Sequence, residues 1–219
     1  MKHLSLKEVA YQAIREKIMA GAFPPGERIR EDQLAAEISM SRTPVREAIN
    51  QLAAEGLVNN IPRRGIYLRA ISTEQLAELL DVRKALETLS VRRCAERSDQ
   101  DTIQRLEAIQ QDFARALAEH DYGACNQLDS RFHREIARLS GNSTLANFLA
   151  DIEDTMLIAR QIEKRTDSER KNQITLEEHA RILTCIADRD ADGAVQAVIV
   201  NLNRMQLNLE PHQGKEDAK

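Results

Sequence analysis

Three side chains in the second half of the chain have the types and spacing of metal ligands. Asp129 and His133 are four residues apart in QLDSRFHREIARLSGN, so a helix of 3.6 residues per turn places both on one face. His179 follows later in the sequence, in TLEEHARIL. One carboxylate and two imidazoles can bind a divalent zinc, nickel or manganese ion where facing helices bring them together. From spacing alone, an Asp–His pair on a helix surface and a His179 hydrogen-bonded to Glu178 or another neighbour are the more frequent outcomes.

A second set of polar side chains, in the first third of the chain, has the chemistry of nucleic-acid binding. These residues stand at the predicted start of a helix and in a later turn: Ser41, Arg42, Thr43, Arg46, Arg63, Arg64 and Gly65. Arginine can donate two hydrogen bonds to a guanine edge, hydroxyl groups reach phosphates or bases, and a helix N-terminus favours a phosphate. A glycine lets the duplex backbone approach closely, and neighbouring arginines supply salt-sensitive phosphate contacts. The alternative is a solvated helix start and an ordinary polar turn.

The elements predicted around these side chains form a winged helix-turn-helix. Pro44 and Gly56 mark the start and the end of one helix. The stretch GAFPPGERI, which follows the first predicted helix, is predicted to be a turn. The predicted elements are three helices, then two strands around a Pro-Arg-Arg-Gly turn: Ser5–Ala20, Glu31–Ile38 and Thr43–Glu55, followed by Leu57–Ile61 and Gly65–Ala70. In that fold the second helix of the pair lies in the major groove of DNA.

From Ser72 onward the pattern is helical. Six helices are predicted by apolar spacing and capping residues: Thr73–Arg97, Asp99–His120, Asp121–Ser140, Ser143–Lys164, Ser168–Arg189 and Asp190–Leu209. We therefore predict a mainly α fold, in which an N-terminal winged helix-turn-helix with a small β-hairpin wing precedes an antiparallel all-α bundle of about six helices. The predicted divisions are a DNA-binding domain, a linker, a ligand-binding and dimerisation bundle, and a flexible tail: residues 1–70, 71–73, 74–210 and 211–219.

Composition and charge exclude several classes of protein. The chain of 219 residues is 3% aromatic, which is too poor for an aromatic-rich β-sandwich core. Its formal net charge of −4 divides into +3 for the first 70 residues and −7 for the remainder, so the N-terminal part has the charge suited to DNA. No apolar run approaches the roughly 20 residues that span a bilayer, and the N-terminus carries charges where a signal peptide is apolar. We therefore expect a cytoplasmic protein with no membrane partner.

The cysteines predict neither a disulfide framework nor a thiolate zinc site. Cys94, Cys125 and Cys185 are odd in number, widely separated and in no CxxC arrangement. We expect reduced thiols that pack among apolar residues.

The first part of the chain resembles the GntR family of winged-helix transcriptional regulators. The stretch PPGERIREDQLAAEISMSRTPVREAINQLAAEGLV carries the resemblance, which covers about Ser5–Ala70, and SRTPVREA followed by L-x-x-EGLV is its most specific part. The resemblance implies that four residues contact operator DNA: Arg42, Thr43, Arg46 and Gly65. It also places Arg30 at a position that often reaches a phosphate.

The second part resembles, less specifically, the all-helical FCD effector domain of the FadR-like branch of that family, in its metal-binding six-helix, VanR-like version. The motifs D-x-x-F-H, S-G-N and E-E-H carry this resemblance. It implies a divalent metal on Asp129, His133 and His179. Family members usually add a third histidine from the last helix, where this chain has Asn201. Because an amide oxygen binds such ions more weakly than an imidazole, a weak metal site and a metal-free pocket that binds an organic ligand both remain open.

Arg83 and Glu87, four residues apart in LLDVRKALE, belong to the same expected site. The family commonly points an arginine from the position of Arg83 into the cavity, where it would bind an effector carboxylate with two hydrogen bonds. Glu87 would orient that arginine, and Asn201 would join the effector site. The alternative for Arg83 is one more charge on an exposed helix face.

These residues predict a ligand-responsive transcriptional regulator, a repressor rather than an enzyme. It would bind a pseudo-palindromic operator as a homodimer, because two recognition helices must reach half-sites about one turn of DNA apart. A small carboxylate metabolite in the bundle would release or modulate it. The alternatives are a metal-dependent enzyme that uses Asp129, His133 and His179, and a non-catalytic interaction bundle. Against an enzyme, the sequence shows no evident general base beside these ligands and no nucleophile motif, and an enzymatic role would leave the N-terminal module unexplained.

Overall fold

The computed structural model describes residues 4–160 and 168–209. The predicted tail of residues 211–219 lies outside that part of the chain. Within the described residues, no helix is long and apolar enough to cross a membrane.

Two compact units make up the chain. The first unit comprises Met1–Ile71 and Asp151–Lys164, and the second comprises Ser72–Ala150 and Arg165–Lys219. The bundle predicted for residues 74–210 includes Asp151–Lys164, which belongs to the first unit of the structure. Apolar spacing predicts that a segment is a helix but not the core against which that helix packs.

The first unit carries the predicted helices together with a three-stranded sheet. Its elements are α1, β1, α2, α3, β2 and β3: Leu6–Met19, Arg28–Ile29, Glu31–Glu37, Arg42–Ala54, Val58–Ile61 and Gly65–Leu68. The predicted hairpin pairs Val58 with Leu68 and Ile61 with Gly65. The two-residue strand β1 lies where only a turn was predicted, and the antiparallel order is β1-β3-β2. Strand β3 is therefore the central strand, with β1 on one side and β2 on the other.

Local signals and a small apolar core explain why these elements form. Ser5 caps α1 with a reciprocal capping box, in which its hydroxyl accepts from the Glu8 amide and the Glu8 carboxylate accepts from the Ser5 amide. Ile14, Leu52 and Leu68, from α1, α3 and β3, have no exposed surface. Burying one such side chain contributes roughly 1.5–3 kcal/mol. Helix α3 is therefore fixed by packing on its buried side.

The second unit is helical. Its helices α4 to α9 are Thr73–Arg97, Gln100–Ala118, Tyr122–Leu139, Ser143–Arg160, Ser168–Ala187 and Ala191–Leu209, with the first part of α7 in this unit. Ser72 caps α4 through a reciprocal capping box with Gln75. Asp99 and Asp190 accept amide hydrogens at the starts of α5 and α9. The predicted mainly α fold is confirmed. The helix boundaries agree with the predicted ones to within two residues, except that the predicted end of α7 at Lys164 lies outside the described residues.

The main core of the second unit contains apolar side chains from five of its helices, α4, α5, α6, α8 and α9. Leu106, Phe132, Ile182 and Val198 have no exposed surface. The three cysteines are free thiols. Burial raises the pKa of Cys94 to about 12 and that of Cys125 to about 11, so both thiols stay protonated and unreactive at neutral pH.

Candidate functional site

The start of α3 presents polar side chains to solvent. Ser41 is the N-cap residue, Arg42 and Thr43 begin the helix, and all three are exposed. The Ser41 side chain makes no capping hydrogen bond, so its hydroxyl is available to another acceptor or donor. Pro44 and Val45, which follow them in α3, are buried. The first turn is thus anchored on one side and polar on the other.

Arg46, on the same face of α3, is held by a residue that sequence reasoning missed. Its Nη2 donates to Oε2 of Glu31 over 3.1 Å, and its Nε lies 3.3 Å from the same oxygen. The Arg46 side chain is still 63% exposed. Glu31 opens α2, fifteen residues earlier in the chain, so no helical spacing indicated this pair. It holds the Arg46 guanidinium at the surface of the helix.

The turn between β2 and β3 forms the tip of the wing. Arg63 and Arg64 are exposed there, and the Tyr67 hydroxyl donates to the backbone carbonyl of Arg64 over 3.1 Å. Gly65 has φ of 118°, a conformation that side-chain-bearing residues rarely adopt. Arg30, the exposed residue before α2, lines the same open groove as these residues.

In the second unit, the structure brings Asp129 and His133 of α6 together with His179 of α8. One ligand atom from each residue lies within 4.8 Å of the other two. Asp129 Oδ1 is 3.2 Å from His179 Nε2 and 3.8 Å from His133 Nε2. All three side chains are buried. The alternative of a surface Asp–His pair is therefore wrong.

Glu87 of α4 connects this cluster to Arg83. Its Oε2 accepts from His133 Nδ1 over 2.6 Å, and its Oε1 accepts from Arg83 Nε over 2.6 Å. Arg83 is 0% exposed and Glu87 is 4% exposed. The alternative of an exposed Arg83 is excluded, and the side chain belongs to the same buried polar network as the histidines.

Burial and charge act in opposite directions on this network. Burial raises the pKa of Glu87, but Arg83 and His133 outweigh it and bring that pKa to about 2, so the group is a carboxylate at neutral pH. Burial lowers the pKa of His133, yet the Glu87 charge and hydrogen bond outweigh it and the pKa is raised. For His179, burial outweighs Asp129 and the pKa is lowered. His179 is therefore the imidazole held neutral.

Aromatic contacts fix the ring of His179. Phe132 stacks on it with ring centroids 4.2 Å apart and planes 15° apart. Phe113 meets it edge-on, with a centroid distance of 5.7 Å. These apolar faces leave the ring little freedom to turn, so its Nε2 stays beside Asp129.

Asn201, at the position where a third histidine was expected, is fully buried on α9. Its Nδ2 donates to Glu178 over 2.7 Å, and Arg204 donates to both oxygens of Glu178. Glu178 is thus bound to side chains of α9, and the hydrogen bond between Glu178 and His179 that the sequence left open as an alternative is not formed. The Asn201 Oδ1 is buried and makes no hydrogen bond with any residue that the structure describes.

The donor set fits a divalent transition metal. His133 Nε2 and His179 Nε2 are buried, and both face Asp129, whose Oδ1 lies 3.8 Å from the first and 3.2 Å from the second. Because the Glu87 carboxylate can only accept, His133 Nδ1 carries a proton and leaves Nε2 to act as the ligand atom. Two imidazoles and one carboxylate, with an outer carboxylate on one imidazole, suit zinc, nickel or manganese.

Comparisons with known proteins match both units. Residues 6–68 match the bacterial regulatory proteins of the gntR family, and residues 78–204 match the FCD domain. The Nta operon transcriptional regulator of Aminobacter aminovorans is 31% identical over 83% of this chain and 84% of that protein. The gluconate operon transcriptional repressor of Bacillus subtilis is 27% identical, over 92% of this chain and 84% of the repressor.

Solved structures share the fold. The Escherichia coli protein McbR/YncC has a TM-score of 0.86 and 19% identity, and the alignment covers 94% of this chain and 98% of that one. A GntR regulator from Rhodococcus sp. RHA1 has a TM-score of 0.81 and 22% identity, with 93% and 96% covered. The chain therefore belongs to the GntR family of bacterial transcriptional regulators, as a DNA-binding regulator with an FCD effector domain, and it is not an enzyme.

Proposed function

We propose that this regulator is a homodimeric repressor that binds a pseudo-palindromic operator and responds to a small organic acid bound in its helical bundle. The exposed polar start of α3, anchored from behind by buried Pro44 and Val45, is the observation that carries the DNA-binding part. A regulator that works on chromosomal operator DNA acts in the cytoplasm.

Eight residues are proposed to contact the operator: Arg30, Ser41, Arg42, Thr43, Arg46, Arg63, Arg64 and Gly65. Arg42 and Arg46 are exposed on the helix that would enter the major groove, where a guanidinium can bind the two acceptors of a guanine. Arg63 and Arg64 at the wing tip have the exposure and charge for phosphate contacts. Base contacts then come from α3 and positioning contacts from the wing.

The dimer follows from DNA geometry. A twofold operator presents its half-sites about 34–36 Å apart along the duplex, and one winged helix reaches only one of them. Two copies of the chain related by a twofold axis match that symmetry. The bundle, whose net charge is negative, is the proposed dimerisation domain.

The buried network of the bundle is the proposed effector site. Its members are Arg83, Glu87, Asp129, His133, His179 and Asn201. A divalent metal on Asp129, His133 and His179 would supply a positively charged Lewis acid for an organic carboxylate. Glu87 and Arg83 balance each other, and Asp129 contributes one negative charge, so this ligand set leaves a divalent ion with positive charge to attract an anion.

The DNA-binding part is tested by fluorescence anisotropy with a labelled duplex of the intergenic DNA upstream of the gene. Arg42→Ala and Arg46→Ala are each expected to weaken binding by about 1–3 kcal/mol, the usual loss for a bidentate base contact. Arg105→Ala is the matched control, because Arg105 is an exposed arginine of α5 paired with Asp101. Wild-type affinity in both α3 variants would contradict the proposed contacts.

The metal is tested by elemental analysis of protein purified without chelator or metal-affinity chromatography. We expect about one zinc, nickel or manganese ion per chain, lost in His133→Ala. If the wild-type protein holds no ion and binds none on titration with these three metals, the metal is excluded, and the same side chains would have to bind an organic effector directly.

The response is tested by adding small carboxylic acids to the protein–DNA complex. An active acid should lower DNA affinity without being consumed, and by linkage DNA should lower the affinity for that acid to the same extent. Turnover of the acid would contradict a purely regulatory role.

A further inference from the structure

Arg28, in the short strand β1, lies against the glycine of the wing. Arg28 pairs with Tyr67 in register and Ile29 pairs with Ile66, so β1 runs beside the start of β3. Ile29 is buried and Arg28 is exposed, which directs the arginine to the solvent face. A Cβ added to Gly65 would lie 2.8 Å from Arg28 Nε and 3.3 Å from its Nη2. The guanidinium therefore occupies the space that a side chain at residue 65 would need.

The Arg28 guanidinium has no partner among the residues that the structure describes. It makes no ion pair or hydrogen bond there, and the same is true of the side chains of Arg63 and Arg64. By contrast, Arg46 is bound by Glu31. Three cationic groups at one end of the sheet are thus left without a carboxylate to balance them.

These arginines share one open groove of about 490 Å³. Its cationic lining is Arg28, Arg30, Arg63 and Arg64, and its acidic lining is Glu31 and Asp32. Glu31 is occupied by Arg46, and Asp32 lies 3.8 Å from Arg30. Positive charge therefore remains in excess, and the groove suits an anion that a flat guanidinium can bind with two hydrogen bonds.

We infer that Arg28, lying across Gly65, binds a phosphodiester of the DNA backbone beside the wing. The inference rests on the proposed operator binding, because the groove lies next to the residues proposed to contact DNA. It also gives Gly65 a role besides its positive φ: the absent side chain makes room for the guanidinium. Such a contact contributes to the affinity for any duplex and not to the choice of sequence.

The test uses full-length protein and two labelled duplexes, the upstream intergenic DNA and a duplex of the same composition with shuffled sequence. Binding is measured over a series of salt concentrations. For Arg28→Gln, the magnitude of the negative slope of log K against log salt should decrease by about 0.9 per bound protomer on both duplexes. Affinity at 0.1 M salt should fall about eightfold for each lost contact. The ratio of the two affinities should not change. Arg28→Lys should retain the slope, because the charge remains.

Arg105→Gln, on α5 of the bundle, is the control and should keep the wild-type slope. The inference is overturned if Arg28→Gln keeps the wild-type slope while Arg42→Ala still weakens binding to the intergenic duplex. If the wild-type protein binds neither duplex, the proposed DNA binding fails and this inference fails with it.

Gly65→Ala tests whether the glycine acts through Arg28. The added methyl group should shift the guanidinium from its place across residue 65, so this variant should lower the affinity for both duplexes by less than Arg28→Gln does, because the charge remains. The double variant should have the affinity of Arg28→Gln alone. Backbone strain at residue 65 would instead lower thermal stability equally with and without Arg28. A further loss of affinity in the double variant would show that Gly65 acts on the DNA independently of Arg28.

Discussion

Glu87 is the residue on which the buried polar network depends. One carboxylate accepts hydrogen bonds from Arg83 and from His133, each over 2.6 Å. A buried ion pair adds little net stability, because desolvation offsets most of the attraction. The effect of Glu87 is geometric. From α4, its carboxylate holds Nδ1 of His133, a residue of α6, so that Nε2 of His133 faces the ligand cluster.

Glu87→Gln should lower the affinity for zinc or nickel about 10–100-fold. The amide removes the charge that orients and strengthens the His133 imidazole as a ligand, and outer carboxylates of this kind contribute that much to metal affinity. Calorimetric titration or competition with a chromophoric chelator measures the loss.

Two further variants separate a change in the site from a change in folding. Glu78→Gln, at an exposed position on the same helix, should bind metal as the wild type does. Arg83→Gln combined with Glu87→Gln removes both charges together and avoids a lone buried cation, and it should show the same metal loss. Wild-type affinity in the folded double variant would mean that Glu87 does not support the metal.

The turn between α2 and α3 ends α2 and connects it to the helix proposed to enter the major groove. Ser39 adopts φ of 55° there, in the left-handed region. The Met40 amide donates to the Ala35 carbonyl over 2.9 Å, and the Ser39 amide donates to Ala36 over 3.2 Å. This is the usual way to end a helix before a sharp turn, and glycine is the residue that most often occupies such a position.

Ser39→Gly should raise the free energy of unfolding by about 0.5–1 kcal/mol. The left-handed conformation costs a side-chain-bearing residue about 1–2 kcal/mol, and the greater freedom of glycine in the unfolded chain offsets part of the gain. Urea denaturation measures the change. Ser39→Ala, which keeps the strained conformation, is the control and should give no such gain; a destabilised glycine variant would contradict this account of the turn.

Helices could be predicted from sequence, whereas contacts between elements could not. Apolar spacing and capping residues such as Ser72 predicted helix boundaries within two residues of those observed, apart from the end of α7, whose predicted position lies outside the described residues. Strand β1 was missed because two residues between a Pro-Gly turn and a helix carry no periodic signal. Glu31 with Arg46, and Arg28 with Gly65, are pairs whose spacing follows neither a helix nor a strand.

The ligand cluster was predictable only in part for the same reason. Asp129 and His133 share a helix face, so their spacing carried a signal. Glu87 and His133 are forty-six residues apart, and Glu178 turned out to bind Asn201 and Arg204 on α9. Such contacts depend on how whole helices pack, which no local pattern records.

At the scale of the whole molecule, charge is unevenly distributed along the sequence. The first 70 residues carry a net charge of +3 and the remainder −7, and the proposed DNA-binding and metal-binding residues fall on opposite sides of that division. Like charge keeps an acidic bundle away from a phosphate backbone. We therefore expect phosphate contacts to be confined to the winged helix of the first 70 residues, which also contains the groove lined by Arg28.

Metal binding should accordingly stabilise one unit and not the other. Differential scanning calorimetry of the full chain, with free zinc at about 100 times its Kd, should show the bundle stabilised by about 2.7 kcal/mol. The transition of the winged helix should stay where it is, because all three ligands lie in the second unit. His133→Ala should abolish the shift. A shift of both transitions by the same amount would mean that the units unfold together, and no shift at all would contradict metal binding at Asp129, His133 and His179.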